Sequence, residues 1–301
     1  MKYAVIILNY KTHKDVIQAV KCVYENAEDS FGIVIVDNDS DEDQYLIQLQ
    51  NDKTKILFLH ENMGYARGNN KGAEHVLSLW NPKYLVFMNP DVLIDKKGTI
   101  ENTIQEAEKH CAIGGQPLVN TIGNNWPPNK QVNIRRVRNY SDILVSSSII
   151  LKSIFRRKFE RTIYGEKMPY NNCVRYEVPS GAFFIIEAKC FKDVGGFDER
   201  TFLYNEEEIL GYKLKKRNQF FVLNPNYIVR HMQGISTGAH GGIINRFSMK
   251  CERDSLNIYM REYLRCGWIK VIGVNLLTYV DPFFQKIVLD IKKIVKKFRC
   301  E

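Results

Sequence analysis

The first 95 residues alternate short, wholly apolar runs with stretches of helical spacing, and few architectures accept that alternation. Tyr3–Leu8, Phe31–Val36, Lys55–Leu59 and Tyr84–Met88 are β-branched or aromatic runs of strand length. Val16, Ile17, Val20 and Val23 recur at helical spacing within 14–27, and residues 44–50 carry a shorter helical pattern. The loop Glu61-Asn-Met-Gly64 leads into a helix over 66–79. Strands apolar on both faces, joined by helices and short connections, predict a parallel sheet with right-handed crossovers. At 301 residues the chain has room for one large α/β domain or two smaller ones.

The first strand ends at Asn9-Tyr10, and two strand ends carry polar clusters on what should be one edge: Asp37-Asn38-Asp39-Ser40 and Asn89-Pro90-Asp91. Pro90 cannot donate a ladder hydrogen bond and biases Asn89 toward an extended conformation. The chain should leave the sheet there and hold Asp91 at the carboxyl edge, where open α/β sheets place ligands. A carboxylate so placed suits a hard divalent cation that also grips a diphosphate. Each cluster alone also reads as a helix cap or turn. Their joint appearance on one edge is what favours a ligand.

The pattern weakens from 116 to 176. Asn124–Asn129 is loop, and Arg135-Arg136-Val-Arg138 with Arg156-Arg157-Lys158 makes a basic stretch. No aromatic stacking platform is spaced along it, so it reads as a solvated or membrane-facing surface and not a nucleic-acid site. Val178–Ile186 predicts another strand, followed by a short helix and Gly195-Gly-Phe-Asp-Glu199. Leu210, Leu214 and the stem of Arg217 share a helical face, which predicts a helix from Glu206 to Lys216. Its first turn carries Glu206, Glu207 and Glu208, a placement the helix dipole favours by itself. Successive residues point about 100° apart, so one glutamate can face a cleft, where it would suit a general base for a sugar hydroxyl. His231 follows a strand-like Phe220–Leu223 and a loop, and is either a metal ligand or proton acceptor or merely packed. His13, His60, His75, His110 and His240 have no partner legible in the sequence.

Lys and Arg exceed Asp and Glu by 43 − 34 = 9, which suits an anionic partner. Seven scattered cysteines without a Cys-x-x-Cys pair argue against a disulfide framework or structural zinc and favour a reducing compartment. The start of the chain reads as a strand and not a signal peptide, and no run reaches membrane-spanning length, so a cytoplasmic location is expected. Trp268–Tyr279 is apolar. Pro282–Phe298 sets Phe284, Ile287, Val288, Ile291, Ile294, Val295 and Phe298 along one helical stripe among lysines. Residues 282–301 can therefore lie on an anionic membrane surface, pack on their own domain, or join a second copy as a homodimer.

Seven stretches occur in an order that resembles bacterial family 2 glycosyltransferases of the GT-A fold, rhamnosyltransferase-like branch. They are Ile7–Tyr10, Val36–Ser40, Asn62–Gly72, Phe87–Asp91, Ser180–Ala182, Gly195–Asp198 and Phe202–Glu207. The resemblance implies a mostly parallel, Rossmann-like sheet flanked by helices. Residues 1–115 would be the nucleotide-sugar half, 116–240 the acceptor half and 241–301 a helical, membrane-associating extension. By position it implies that Asp37 binds the nucleotide base, with Asn9 and Tyr10 at the same end of the pocket and Arg67, Gly68 and Asn69 bordering the nucleotide. Asp91 matches the last aspartate of the family's Asp-x-Asp metal motif. Asn89 stands where the first often is, as a weaker, neutral ligand. Ser180, Gly181 and Ala182 match the segment beside donor sugar and acceptor. Glu207 falls at the catalytic aspartate, preceded by Glu206, and the extra methylene leaves the base open between them. His231 resembles a late histidine that completes the metal's coordination.

The implied reaction is inverting transfer from a nucleotide-diphosphate sugar to a glycan or lipid-linked acceptor, with Mg2+ or Mn2+, in capsule, O-antigen or exopolysaccharide synthesis at the inner membrane face. dTDP-rhamnose is the first donor expected, with UDP-hexose or UDP-galactofuranose as rivals. A sugar nucleotidyltransferase would need a glycine-rich basic loop after the first strand, and a dinucleotide oxidoreductase Gly-x-Gly-x-x-Gly; Asn9-Tyr10-Lys11-Thr12 is neither. The remaining alternative is a non-catalytic lipid-surface or nucleic-acid-binding protein that uses the basic C-terminal region.

Overall fold

The computed structural model describes residues 1–28, 30–41, 43–122, 135–157, 159–160, 172–232, 246–281 and 283. Strands β1 (Tyr3–Asn9), β2 (Phe31–Asn38), β3 (Thr54–Leu59) and β4 (Tyr84–Met88) lie side by side in the order β3-β2-β1-β4, all parallel. Helices α1 (His13–Asn26), α2 (Asp43–Leu46) and α3 (Gly64–Leu79) make the crossovers. Alternate residues of the strands serve opposite faces. Val5, Ile7, Ile33, Ile35 and Val86 pack with Val16, Val20 and Val23 of α1. Ala4, Ile6, Val34, Val36, Leu85 and Phe87 pack with Ala66, Ala73 and Val76 of α3. Cover on both faces is why these strands read as unbroken apolar runs.

The chain continues through β5 (Val92–Ile94), α4 (Thr99–Lys109), β6 (Gly114–Thr121), α5 (Tyr140–Ser146), α6 (Ile149–Ile154), β7 (Val174–Tyr176) and β8 (Phe183–Glu187). Then come α7 (Ala188–Asp193), α8 (Glu206–Lys215), β9 (Phe221–His231) and α9 (Arg246–Ile258). The same sheet extends from β4 in the order β8-β6-β9-β5, with β7 also on β9. β8 runs against β4 and β6, and β5 and β7 run against β9, while β6 and β9 are parallel. One mixed sheet thus carries both halves, with most strands in the direction of β1.

Several expectations change here. The strand predicted over Val178–Ile186 is confined to Phe183–Glu187. Pro179 and Gly181 leave 178–182 as a loop with one bridge, Val178 to Arg135. His231 does not follow a loop: it is the last residue of β9, whose ladder with β6 shifts register after Pro117. β5 and β6 carried too little strand character to be read, β5 being three residues and β6 opening Gly-Gly-Gln-Pro. Arg138, expected on a solvated surface, is instead in an ion pair with buried Glu208.

A π-helical turn, Tyr259–Tyr263, follows α9, and a further helix covers 268–281. Val271 and Val274 of that helix pack with Tyr259, Met260, Ile143 and Ile209. The stripe expected over 282–298 lies outside the described residues, Phe283 excepted. Among the described residues no helix is long and apolar enough to cross a membrane, and the six described cysteines are free.

Candidate active site

β1, β2 and β4 all end on one edge of the sheet, and β8, running the other way, begins there with Phe183 opposite Met88. The polar clusters after these strands therefore share that edge.

Asn9 and Asp37 are register partners at the ends of β1 and β2, and both are buried. Asn9 Nδ2 donates to Asp37 Oδ1 at 2.7 Å and to Ser40 Oγ at 2.9 Å. Asn9 Oδ1 accepts from the Thr12 amide and hydroxyl, at 3.1 and 3.0 Å. The Ser40 hydroxyl donates to Asp37 Oδ1 and its amide to Oδ2 at 3.3 Å. Next to them Asn38 accepts from the Met63 amide at 2.9 Å and donates to Asn62 Oδ1 at 2.9 Å, fixing the turn into α3. Tyr10 is exposed. On α3, a Cβ at Gly68 would come within 2.6 Å of Leu8 Cδ1, and buried Asn69 donates to Tyr65 O at 3.0 Å. Both thus lie on the packed side of the helix. Arg67 faces outward, with Nε 3.6 Å from Glu199 Oε2.

Asp91 is held by backbone bonds on either side. The Asn89 amide donates to Ala182 O at 2.8 Å, and the Met232 amide to Asp91 O at 2.9 Å. The antiparallel pairing of Val92 with His231 brings the histidine alongside. His231 Nε2 lies 3.3 Å from Asp91 Oδ1, an ion-pair distance without hydrogen-bond alignment. Asp91 Oδ1 is buried and accepts no hydrogen bond. A buried acceptor left unpaired costs about 1–3 kcal/mol, so this oxygen and the neighbouring imidazole fit a divalent cation that both would ligate. Asn89 is half-buried beside them.

The start of α8 is locked to the start of α3. The Tyr65 amide donates to Phe202 O at 2.8 Å, and Gly64, at φ +77°, sits where a Cβ would strike that same carbonyl. Tyr204 and Asn205 then take positive φ, 70° and 62°, to turn the chain into the helix. The three glutamates part company. Buried Glu208 accepts from the Arg138 amide at 2.6 Å and from its Nε at 3.1 Å, a structural pair. Glu206 is buried with Oε2 unpaired, and burial together with the charge of Glu207 pushes its pKa well up. Glu207 lies against Gly181 so closely that a Cβ there would collide with its Oε1. Burial also raises the Glu207 pKa, with Arg135 pulling the other way.

The loop that receives Glu207 is pinned from several sides. The Tyr65 hydroxyl donates to Gly181 O at 2.7 Å, the Ser180 amide to Gln116 Oε1 at 2.8 Å, and Arg135 Nη2 to Pro179 O at 2.9 Å. Burial, then Glu207 and Glu206, hold the Tyr65 phenol well above its ordinary pKa. Tyr65 and Gln116 have no reading from sequence, and Arg135 reads there only as part of a basic surface stretch. Tyr65 falls inside the Asn62–Gly72 stretch, whereas nothing local marks Gln116 or ties Arg135 to this loop. Asp198 of the Gly195–Asp198 stretch anchors the C-terminal helices. Burial would raise its pKa, but the bonds from Arg200 and from the Tyr263 hydroxyl, 2.7 Å away, bring it down to about 2.

A parallel half-sheet that runs into a mixed half, with acidic residues at the shared edge, is the arrangement of the GT-A glycosyltransferase fold. Residues 4–170 match the glycosyl transferase family 2 model, and the chain belongs to that family. It is 24% identical over 219 residues to the low-salt glycan biosynthesis hexosyltransferase Agl10 of Haloferax volcanii, a match covering 71% of this chain and 62% of that one. It is 41% identical over 59 residues to the N-acetylglucosaminyl-diphospho-decaprenol L-rhamnosyltransferase of Mycobacterium tuberculosis, 20% of this chain and 19% of that one. The chain thus spans less than two thirds of either relative. GalNAc-T7, crystallised with UDP, GalNAc and Mn2+, has a similar fold at a TM-score of 0.60 and 15% identity, covering 86% of this chain and 47% of the other. S. aureus TarS aligns at 0.52 and 13%, covering 86% and 44%.

Proposed function

We propose that the protein is an inverting glycosyltransferase that moves a sugar from a nucleotide-diphosphate donor to a glycan or lipid-linked acceptor. The observation that carries this is the placement of Glu207 against Gly181, on a loop tied through Ala182 O to Asn89 and thence to the unpaired Asp91 oxygen. Residues 1–115 would hold the donor, with Asp37, Asn9 and Tyr10 toward the base and Arg67, the outward residue of the Arg67-Gly68-Asn69 stretch, near the phosphates. Asp91 and His231, with Asn89, would hold Mg2+ or Mn2+, which offsets the charge on the leaving diphosphate when bound. Glu207 takes the proton of the acceptor hydroxyl as that oxygen attacks the anomeric carbon from the face opposite the leaving group. Glu206, more deeply buried, sits beside it with its pKa raised by burial and by the charge of Glu207. One displacement with one base inverts the anomeric centre.

A rhamnosyl donor, dTDP-rhamnose, is the first choice, supported by the rhamnosyltransferase similarity; UDP-hexose and UDP-galactofuranose are the rivals. The acceptor is proposed to be lipid-linked and the enzyme peripheral on the inner face of the membrane. Supporting this, the helix over 268–281 buries Val271 and Val274 yet leaves Trp268, Ile269, Leu276 and Tyr279 exposed. An exposed apolar helix face of this kind, followed by a lysine-rich segment, suits an anionic lipid surface. The test is a thermal-shift panel of dTDP, UDP, GDP and NAD with and without Mn2+. A metal-dependent shift with dTDP or UDP supports the reading and selects the nucleotide; a shift with NAD alone, or none, contradicts it.

A further inference from the structure

We propose that Glu106, His110 and Cys173 form a second metal site, selective for a zinc-type ion and separate from the Asp91 edge. Glu106 and His110 lie one turn apart near the end of α4, and Cys173 immediately precedes β7. One ligating atom from each falls within 4.8 Å of the others. Glu106 Oε2 is the shared vertex, 3.3 Å from Cys173 Sγ and 3.6 Å from His110 Nε2. A tetrahedral ion with metal–sulfur bonds of about 2.3 Å and metal–nitrogen or metal–oxygen bonds of about 2.0–2.1 Å sets its ligand atoms roughly 3.3–3.6 Å apart. Glu106 Oε2 already has that spacing to both partners, and the histidine nitrogen and the thiol sulfur lie within 4.8 Å of each other. Lys109 Nζ, 3.5 Å away, engages the other carboxylate oxygen, Oε1. All three residues are half-buried, and a fourth ligand would have to come from water.

The donor set decides the metal. Thiolate with imidazole and one carboxylate suits Zn2+, whereas Mg2+ and Mn2+ prefer oxygen ligands. Coordination replaces the Cys173 S–H bond by a metal–sulfur bond and releases the proton to solvent, with no change of oxidation state. The absence of Cys-x-x-Cys had argued against zinc, but residues 106, 110 and 173 meet only because β7 pairs with β9 and α4 packs over it. Ala107, Val222 and Phe220 pack beside Cys173 at the junction. From Cys173 the chain runs through β7 to Ser180–Ala182, so the ion anchors the strand that leads into the active-site loop.

The test is titration of metal-free protein with Zn2+ and, for its spectrum, with Co2+. The expected result is one ion per chain with a near-ultraviolet thiolate–cobalt charge-transfer band, and a Zn2+-dependent rise in Tm. Band and rise should persist in Asp91→Asn and Cys111→Ser and vanish in Cys173→Ser. His110→Gln should weaken Zn2+ binding about 10- to 100-fold or more. Melting of each metal-free variant confirms that it is folded. Absence of the band, its survival in Cys173→Ser, or unchanged Zn2+ affinity in His110→Gln would overturn the site and leave only a hydrogen-bonded surface cluster.

Discussion

The two sides of the active edge treat their buried polar groups in opposite ways. At the ends of β1 and β2, both Asn9 side-chain polar atoms and both Asp37 carboxylate oxygens have partners within the protein. At the end of β4 and the start of α8, Asp91 Oδ1, though 3.3 Å from His231 Nε2, and Glu206 Oε2 accept no hydrogen bond, and Glu207 is pressed against a glycine. Satisfied groups hold a shape. Unsatisfied ones store a cost of about 1–3 kcal/mol each, relieved when a cation, a proton or a substrate hydroxyl arrives. On the proposed function, the first side would be a scaffold for the nucleotide and the second the place where charge is handled.

That contrast can be broken by substitution, and, Glu207 itself aside, the largest effect should come from Gly181→Ala. The added methyl displaces the Glu207 carboxylate, and an error of about 1 Å in a catalytic group costs on the order of 100-fold in rate. Steady-state transfer should show kcat reduced by that factor with donor KM little changed; a normal kcat would separate Glu207 from the chemistry. Asp91→Asn comes next. The metal-dependent thermal shift with the donor nucleotide should disappear while the metal-free Tm holds or rises, because a buried carboxylate oxygen that accepts no hydrogen bond has gone. A fall in metal-free Tm would mean that Asp91 is a structural residue.

On the satisfied side the expected loss is of stability. Asn9→Ala leaves the Thr12 amide and hydroxyl without Asn9 Oδ1, and should cost about 1–3 kcal/mol in denaturant unfolding. An unchanged midpoint would erase the contrast. The smallest effect is a pH dependence. The folded pKa of Glu206 is raised, so its stabilising contribution is complete below the unfolded value of about 4.3 and is lost as pH rises through the folded value. Glu206→Gln is neutral throughout, so its Tm advantage over the parent should be absent at pH 4 and grow toward pH 8. The opposite slope would mean that Glu206 is paired.

How much of this was legible follows the range of the interactions. Asp91 could be placed because Pro90 ends a buried strand, and α8 because Leu210 and Leu214 repeat at helical spacing; both signals are local. The parallel half was readable because its strands are covered on both faces. β6 was not, since Gly114-Gly-Gln-Pro has none of the side chains that mark a strand. The division of labour among Glu206, Glu207 and Glu208 was beyond local reading. It depends on Arg138, Gly181 and Tyr65, which approach from 26 to 142 residues away. The partial burial of Arg138 has the same cause: a basic stretch looks solvated until a distant carboxylate is brought to it.

The most direct measurement is made on Glu207→Gln, comparing sugar transfer with nucleotide affinity in the presence of Mn2+ by calorimetry. The account predicts that transfer falls by about 100- to 10,000-fold, the contribution of a positioned general base, while nucleotide affinity stays within a few-fold of the parent. Transfer that survives the substitution would contradict Glu207 as the base, and equal loss of binding and transfer would contradict the division between a satisfied donor side and an unsatisfied reacting side.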